Sequence, residues 1–160
     1  MGVKTDALAM QLQAKAGEAV GTLAKLNDAD WNKVTGAEQW TVGVTAHHLA
    51  RALEAVPGIV TGIVSGAPAR ANFTRATLDE MNAQHANEHA HCTRAETLAL
   101  FQRNAATACA VLRGLNDDQL AKSGTVFTDA PPMTAEQLIT LALLNHMDEH
   151  MGSIRKTVGA

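Results

Sequence analysis

Apolar residues recur every three or four positions in four long segments of this chain, and this is the period of an α-helix. In the first segment the apolar residues are Leu8, Leu12, Ala16, Ala19, Leu23 and Leu26. The second and third segments cover residues 42–64 and 94–114. In the last segment the residues on the inward face are Leu138, Ile139, Ala142, Leu143, His146, Met147, His150 and Ile154. We call each such row of residues a stripe. No segment shows the alternating pattern of a strand. We therefore predict an all-α fold, a four-helix bundle with long connections, with residues 1–160 forming a single domain.

The composition supports this fold and disfavours several kinds of partner. Aromatic residues make up only 3% of the chain, so the core is aliphatic, which favours packed helices over a β-sandwich. The net charge of −3 is dispersed and offers neither a basic stripe for nucleic acid nor a membrane-binding patch. We find no membrane span or signal peptide, and Cys92 and Cys109 are too far apart for a C-x-x-C pair. We expect a cytoplasmic protein with free thiols.

Three histidines lie on apolar helix faces, where an imidazole needs a partner. His146 and His150 are one helical turn apart in the last stripe, and His48 shares its face with aliphatic residues of the second helix. Burying such groups without a partner costs on the order of a few kcal/mol each. The three side chains are candidate ligands of one divalent transition-metal ion with coordination positions left open. The alternative is that all three are ordinary core histidines.

The remaining histidines are predicted to be solvated. His47 shares a helix face with two charged residues, and this face should point to water. His85 and His89 have the same spacing as His146 and His150, but they belong to a helical stretch from about residue 76 that is polar nearly all round. His91 follows at the end of this stretch. A metal site there would be an adventitious and weak surface site.

Both histidine pairs also form the sequence H-x-x-E-H, the inverted zinc-protease motif. Such proteases take a third ligand far downstream, whereas only ten residues follow His150. Glu149 is therefore predicted to be a surface or supporting carboxylate and not a general base. A di-iron bundle is excluded because it needs two E-x-x-H pairs and two further glutamates.

Three segments resemble the DinB-like (damage-inducible) metalloenzyme family. The second helix begins with WTVGV at 40–44 and continues with HHLA at 47–50, which is similar to the second-helix signature of that family. The closing segment contains HMDEH at 146–150 and SIR at 153–155, and LDEMN at 78–82 resembles a mid-chain segment of many members. The resemblance covers nearly the whole chain, with the segments in the right order.

This resemblance implies a four-helix bundle that holds nickel, zinc, iron or manganese through His48, His146 and His150. Members often form homodimers. Characterised relatives include S-transferases that use bacillithiol or mycothiol, and mycothiol-dependent maleylpyruvate isomerases. In the isomerase branch the middle ligand is a glutamate, and this chain has His146 at that position. The departure moves the chain toward the branch with three histidines.

The resulting hypothesis is a metal-dependent enzyme that transfers a low-molecular-weight thiol to a small electrophilic substrate. A divalent ion bound by three neutral imidazoles would lower the pKa of a bound thiol, and it could equally activate water for hydrolysis. A different alternative is a non-enzymatic bundle that binds a metal or an apolar ligand in a stress response. The sequence leaves open the native metal, the thiol, the electrophile and whether the protein is an enzyme.

Overall fold

A computed structural model describes residues 2–160, and helices account for most of it. The elements are α1 (Val3–Ala24), α2 (Asp28–Trp31), α3 (Val42–Ser65), α4 (Arg75–Glu88), α5 (Arg94–Gly114), α6 (Asp117–Leu120), β1 (Ser123–Gly124), β2 (Met133–Thr134), α7 (Ala135–Ile139), a π-helix (Thr140–Asn145) and α8 (His146–Val158). The predicted all-α fold is confirmed. The sequence showed no strand pattern, yet β1 and β2 pair antiparallel over two residues each, in the long connection before the last helix.

The long helices pack around one aliphatic core. α1 and α3 both lie along α5, and α7, the π-helix and α8 follow one another without a break and are together called the closing helix. The largest fully buried side chains come from all four of these elements, for example Leu12, Leu53, Phe101 and Met147. Burying one such side chain stabilises the fold by about 1.5–3 kcal/mol. None of the described helices has both the length and the apolar character that a membrane-crossing segment requires.

Helix α4 is an exception because it contributes no buried residue. Thr74 caps its first turn, where the Thr74 hydroxyl accepts a hydrogen bond from the backbone N–H of Thr77. Its polar sequence gives it no apolar stripe to insert into the core, and it packs against the side of α3. The helix ends at Glu88, with His89 as the C-terminal cap residue.

The π-helix changes the face that the closing helix presents to the core. A π turn takes up one residue more than an α turn, and one residue of an α-helix corresponds to about 100° of rotation. From Leu143 onward the predicted inward face contains Leu143, His146, Met147, His150 and Ile154, and of these Leu143, Met147 and Ile154 are buried. Leu144 in the π-helix and Met151 in α8 are buried as well. His146 and His150 therefore lie at the edge of the core, half-buried, instead of at its centre.

The connection between α2 and α3 is a closed loop held by its own backbone. The N–H of Thr35 donates to the carbonyl of Trp40 at 2.8 Å, and Val34 forms a β-bridge with Thr41. Gln39 has a φ of 59°, in the left-handed region, which allows the tight reversal before α3. Glu38, immediately before this reversal, is thereby held beside the closing helix.

Candidate metal centre

The structure brings together the three histidines that the sequence singled out. Nε2 of His146 is 3.0 Å from Nε2 of His48 and 2.9 Å from Nε2 of His150. The ring of His48 is edge-on to both of the others, at interplanar angles of 74° and 83°. α3 supplies His48, which is 8% exposed, and α8 supplies the two half-buried histidines. Three ring nitrogens from two distant segments thus face one point.

Hydrogen bonding alone does not satisfy these nitrogens, whereas a metal ion fits them. Nδ1 of His150 is 2.7 Å from a carboxylate oxygen of Glu38, so Nδ1 carries the hydrogen and Nε2 carries a lone pair. Nε2 of His146 contacts Nε2 of His48 and Nε2 of His150, and at most one of these two contacts can then be a hydrogen bond. Two nitrogens bound to one ion at ~2.1 Å lie about 3.0 Å apart at a right angle and about 3.4 Å apart at the tetrahedral angle. The observed separations match the lower part of this range.

Glu38 is the functional residue that the sequence analysis missed. Its second carboxylate oxygen accepts a hydrogen bond of 2.6 Å from the hydroxyl of Ser153. Burial acts to raise the pKa of Glu38, but hydrogen bonds from Ser153, Thr35 and His150 outweigh it and hold the pKa below its usual value. The carboxylate is thus ionised at neutral pH and fixes the ring of His150. A histidine that binds a metal commonly donates its other N–H to such a partner.

Two of the three imidazoles are held in the neutral form. Burial is the main cause that lowers the pKa of His48 to about 3, and the positive charges that His146 and His150 would carry add to it. Burial, followed by His150, lowers the pKa of His146 to about 4. At neutral pH both rings are therefore uncharged and keep a lone pair for a metal. The Trp40 ring, 5.2 Å from the His48 ring between centroids, shields one side of the group.

A second histidine group lies next to the first and corrects the predicted exposure of its members. His47, His85 and His89 are half-buried and in contact, although all three were expected to face water. Nδ1 of His47 is 2.8 Å from Nε2 of His85, and the His47 and His89 rings stack with their centroids 3.9 Å apart. The cause is α4, which covers the face of α3 that the helical pattern assigned to solvent. His91 is exposed, as predicted.

Two histidines of the second group, His85 and His47, also have lowered pKa values. Burial is the first cause that lowers the pKa of His85 to about 4, and the neighbouring His47 and His89 act in the same direction. Burial likewise lowers the pKa of His47, with the charges of His89 and Arg51 adding to the effect. Glu149, by contrast, is exposed on α8 and touches neither group, which agrees with a surface role.

Comparison with solved structures shows the same fold in several proteins. An uncharacterised protein from Clostridium difficile 630 superposes with a TM-score of 0.77 at 12% identity, covering 95% of this chain and 94% of its own. YfiT from Bacillus subtilis, described as a probable metal-dependent hydrolase with an unusual four-helix bundle topology, gives 0.70 at 20% identity, covering 98% and 86%. A search of the curated proteins gave no match.

The mycothiol-dependent maleylpyruvate isomerase is a third structure with this fold. Its TM-score is 0.73 at 11% identity over 94% of this chain, which spans only 60% of the isomerase's length. A sequence model of one family, the mycothiol maleylpyruvate isomerase N-terminal domain, matches residues 12–145. This agrees with the resemblance to the DinB-like family, and the matched range includes the segment around His48 and ends one residue before His146. The chain therefore belongs to the mycothiol maleylpyruvate isomerase N-terminal domain family, whose fold is DinB-like.

Proposed function

We propose that this protein is a metal-dependent enzyme whose divalent ion is held by His48, His146 and His150. One observation carries the proposal: the Nε2 atoms of the three rings converge, and Glu38 fixes the tautomer of His150 so that its lone pair points to the same place. A group of three imidazoles suits zinc, iron or nickel better than it suits the harder ions, which prefer oxygen ligands.

The residues around the group support a reactive site and not a closed structural one. Three protein ligands leave at least one position of a tetrahedral ion free, whereas structural zinc sites use four. When bound, a divalent ion supplies positive charge that lowers the pKa of an adjacent thiol or water. Glu38 holds His150 in place, and Trp40 keeps water from one side of His48.

The reaction that we propose is the transfer of a low-molecular-weight thiol to a small electrophile. The family model that matches residues 12–145 is described by its connection with mycothiol, and this supports a thiol of that class as the cosubstrate. The sulfur loses its proton to water and forms a bond to an electrophilic carbon, while the bond from that carbon to the leaving group breaks and the leaving group keeps the electron pair. A haloalkane would release halide in this way. In an epoxide the ring oxygen, and in an activated alkene the neighbouring carbon, would keep the electron pair and take up a proton from water.

The test is a turnover assay with metal-loaded protein purified without a histidine tag. Samples loaded separately with nickel, zinc, iron or manganese are incubated with mycothiol or bacillithiol and a panel of electrophiles, and the loss of free thiol is followed. We expect turnover with at least one ion and its abolition by His146→Ala. His91→Ala is the matched control because it removes an exposed histidine outside both groups. Equal turnover in His146→Ala and the unaltered protein would contradict the proposal.

Metal-dependent hydrolysis is the second candidate, and the likeness to YfiT favours it. The same site could activate water in place of a thiol. Release of acid from esters and amides in the absence of thiol would indicate hydrolysis, and turnover only in its presence would indicate thiol transfer. The non-enzymatic alternative would be supported if the protein showed no turnover with any substrate and a histidine variant lost both its metal and its stability.

We further propose that the chain forms one domain and acts as a homodimer in the cytoplasm. Light scattering tests the dimer.

A further inference from the structure

The second histidine group has the geometry of a separate metal-binding site. We call His47, His85 and His89 the outer cluster, and His48, His146 and His150 the inner cluster. One ring nitrogen from each member of the outer cluster lies within 4.8 Å of the corresponding atoms of the other two. The closest pair, Nδ1 of His47 and Nε2 of His85, is 2.8 Å apart, close to the separation of two ligands at a right angle on one ion.

Hydrogen bonding leaves the outer cluster unsatisfied. Nδ1 of His85 is buried and has no hydrogen-bond partner, so this ring makes a single polar contact, with His47. Within residues 2–160, no carboxylate forms a hydrogen bond with any of the three rings. The three rings are therefore brought together without a carboxylate to compensate for the burial of their nitrogens.

The cluster also has room and further ligands beside it. It lines a cavity of about 410 Å³ that opens to solvent, and Glu54 and Glu88 line the same cavity. A bound ion could therefore complete its coordination with a carboxylate oxygen or water. His85 lies in the last turn of α4 and His89 is the C-terminal cap residue four positions later, the spacing that lets two imidazoles reach one ion.

We propose that the outer cluster is a second binding site for a divalent transition metal of the zinc or nickel class. This site lies beside the inner one: His47 and His48 are consecutive on α3, and the centroids of the His48 and His85 rings are 6.0 Å apart. The inference goes beyond the proposed function because none of its ligands belongs to the inner cluster. The protein would then hold two ions on adjacent faces of the same turn of α3.

The two sites should differ in affinity because only the inner cluster has a supporting carboxylate. Loss of such a partner typically weakens metal binding by about 10–100-fold. The outer cluster also requires its stacked His47 and His89 rings to turn before their lone pairs can meet at one ion. We therefore expect the outer site to bind at least that much more weakly than the inner one.

The experiment is a zinc titration of full-length, tag-free protein after removal of metal with a chelator. Calorimetry measures the two affinities, and elemental mass spectrometry after dialysis against micromolar zinc counts the ions. We compare the unaltered protein with His85→Ala/His89→Ala, with His146→Ala/His150→Ala, and with His91→Ala as the control. We expect two ions in the unaltered protein and in the control, the weaker one lost in the first double variant, and the tighter one lost in the second.

The proposal fails if His85→Ala/His89→Ala binds as many ions as the unaltered protein, whatever that number is. Failure of the inner site would show separately, as no loss in His146→Ala/His150→Ala. Neither His85→Ala nor His89→Ala removes a core side chain, so the double variant should fold, and circular dichroism checks this. The single variant His89→Gln, which keeps a polar side chain, must lose the same ion.

Discussion

The inner and outer histidine clusters contain the same three side chains at similar separations, but their surroundings differ. The inner cluster lies between two helices of the bundle, and a carboxylate from a closed loop fixes His150. The outer cluster lies between α3 and α4, which has no buried residue, and it faces an open cavity. Ring geometry alone thus does not distinguish a well-supported site from a weaker one. The support comes from the elements that surround it.

The largest effect should appear on acidification of the metal-free protein, where the inner cluster contributes two rings of strongly lowered pKa and the outer cluster contributes one, His85. The folded state keeps the pKa of His48 at about 3 and that of His146 at about 4, whereas an unperturbed histidine has 6.5. Below pH 6.5 the unfolded chain binds more protons, so the free energy of unfolding falls as the pH decreases toward the folded values. At about pH 5 the loss relative to pH 8 is on the order of 2 kcal/mol for each of these two residues.

Urea denaturation of the chelator-treated protein at the two pH values measures this loss. His146→Leu should remove its own share, on the order of 2 kcal/mol, because it takes away one of the neutral rings. The control His91→Leu should leave the loss unchanged. A free energy of unfolding that is the same at both pH values would show that these rings are not held neutral by the fold.

Glu38→Gln tests what the carboxylate contributes. Glutamine keeps the size of the side chain but removes the charge that orients His150, so we expect zinc affinity at the inner cluster to fall about 10–100-fold. The outer cluster should bind zinc as before, which narrows the difference between the two sites. Calorimetric titration measures both affinities. Glu18→Gln is the matched control, since Glu18 is 70% exposed and paired with Arg155, and an equal effect of both substitutions would argue against a specific role for Glu38.

The smallest effect is expected at Asp148, although it lies between His146 and His150 in the sequence. Its carboxylate pairs with Lys15 at 2.6 Å on the outside of the bundle, where the side chain is 57% exposed. Exposed ion pairs contribute about 0.2–1 kcal/mol to stability. Asp148→Asn should therefore lower the melting temperature by only a few degrees and leave zinc binding at both clusters unchanged. A loss of metal in this variant would mean that α8 depends on its outer face to present the histidines.

The sequence predicts the inner cluster and the bundle for the same physical reason. The apolar stripes that define the helices also assign a face to each histidine, and His48 stands out because its neighbours on that face are aliphatic. Glu38 could not be found in this way, because it belongs to an irregular loop and is 112 residues from His150. The general rule that a metal-bound histidine has a carboxylate partner predicts that such a residue exists, but it does not say which residue it is.

The outer cluster escaped prediction because helix periodicity describes burial in a core and not contacts between polar helices. His47 lies on a charged face of α3, and nothing in the sequence of α4 indicates that this helix covers it. The π-helix was missed as well, since the stripe from Leu138 to Ile154 continues the α period without a visible break. That His48, His146 and His150 bind a metal remains a prediction, which the metal count decides.

The π-helix at Thr140–Asn145 has a consequence for tracing the ancestry of this chain. A π turn contains one residue more than an α turn, so a helix can hold one extra residue there without moving the part that follows. Without the exposed Leu141, an ordinary helix would place both histidines where they are now. A distant relative without the extra residue would be one residue shorter there. Aligned without a gap from the upstream leucines, its two ligands would fall opposite Asn145 and Glu149, and a shared site would go unrecognised.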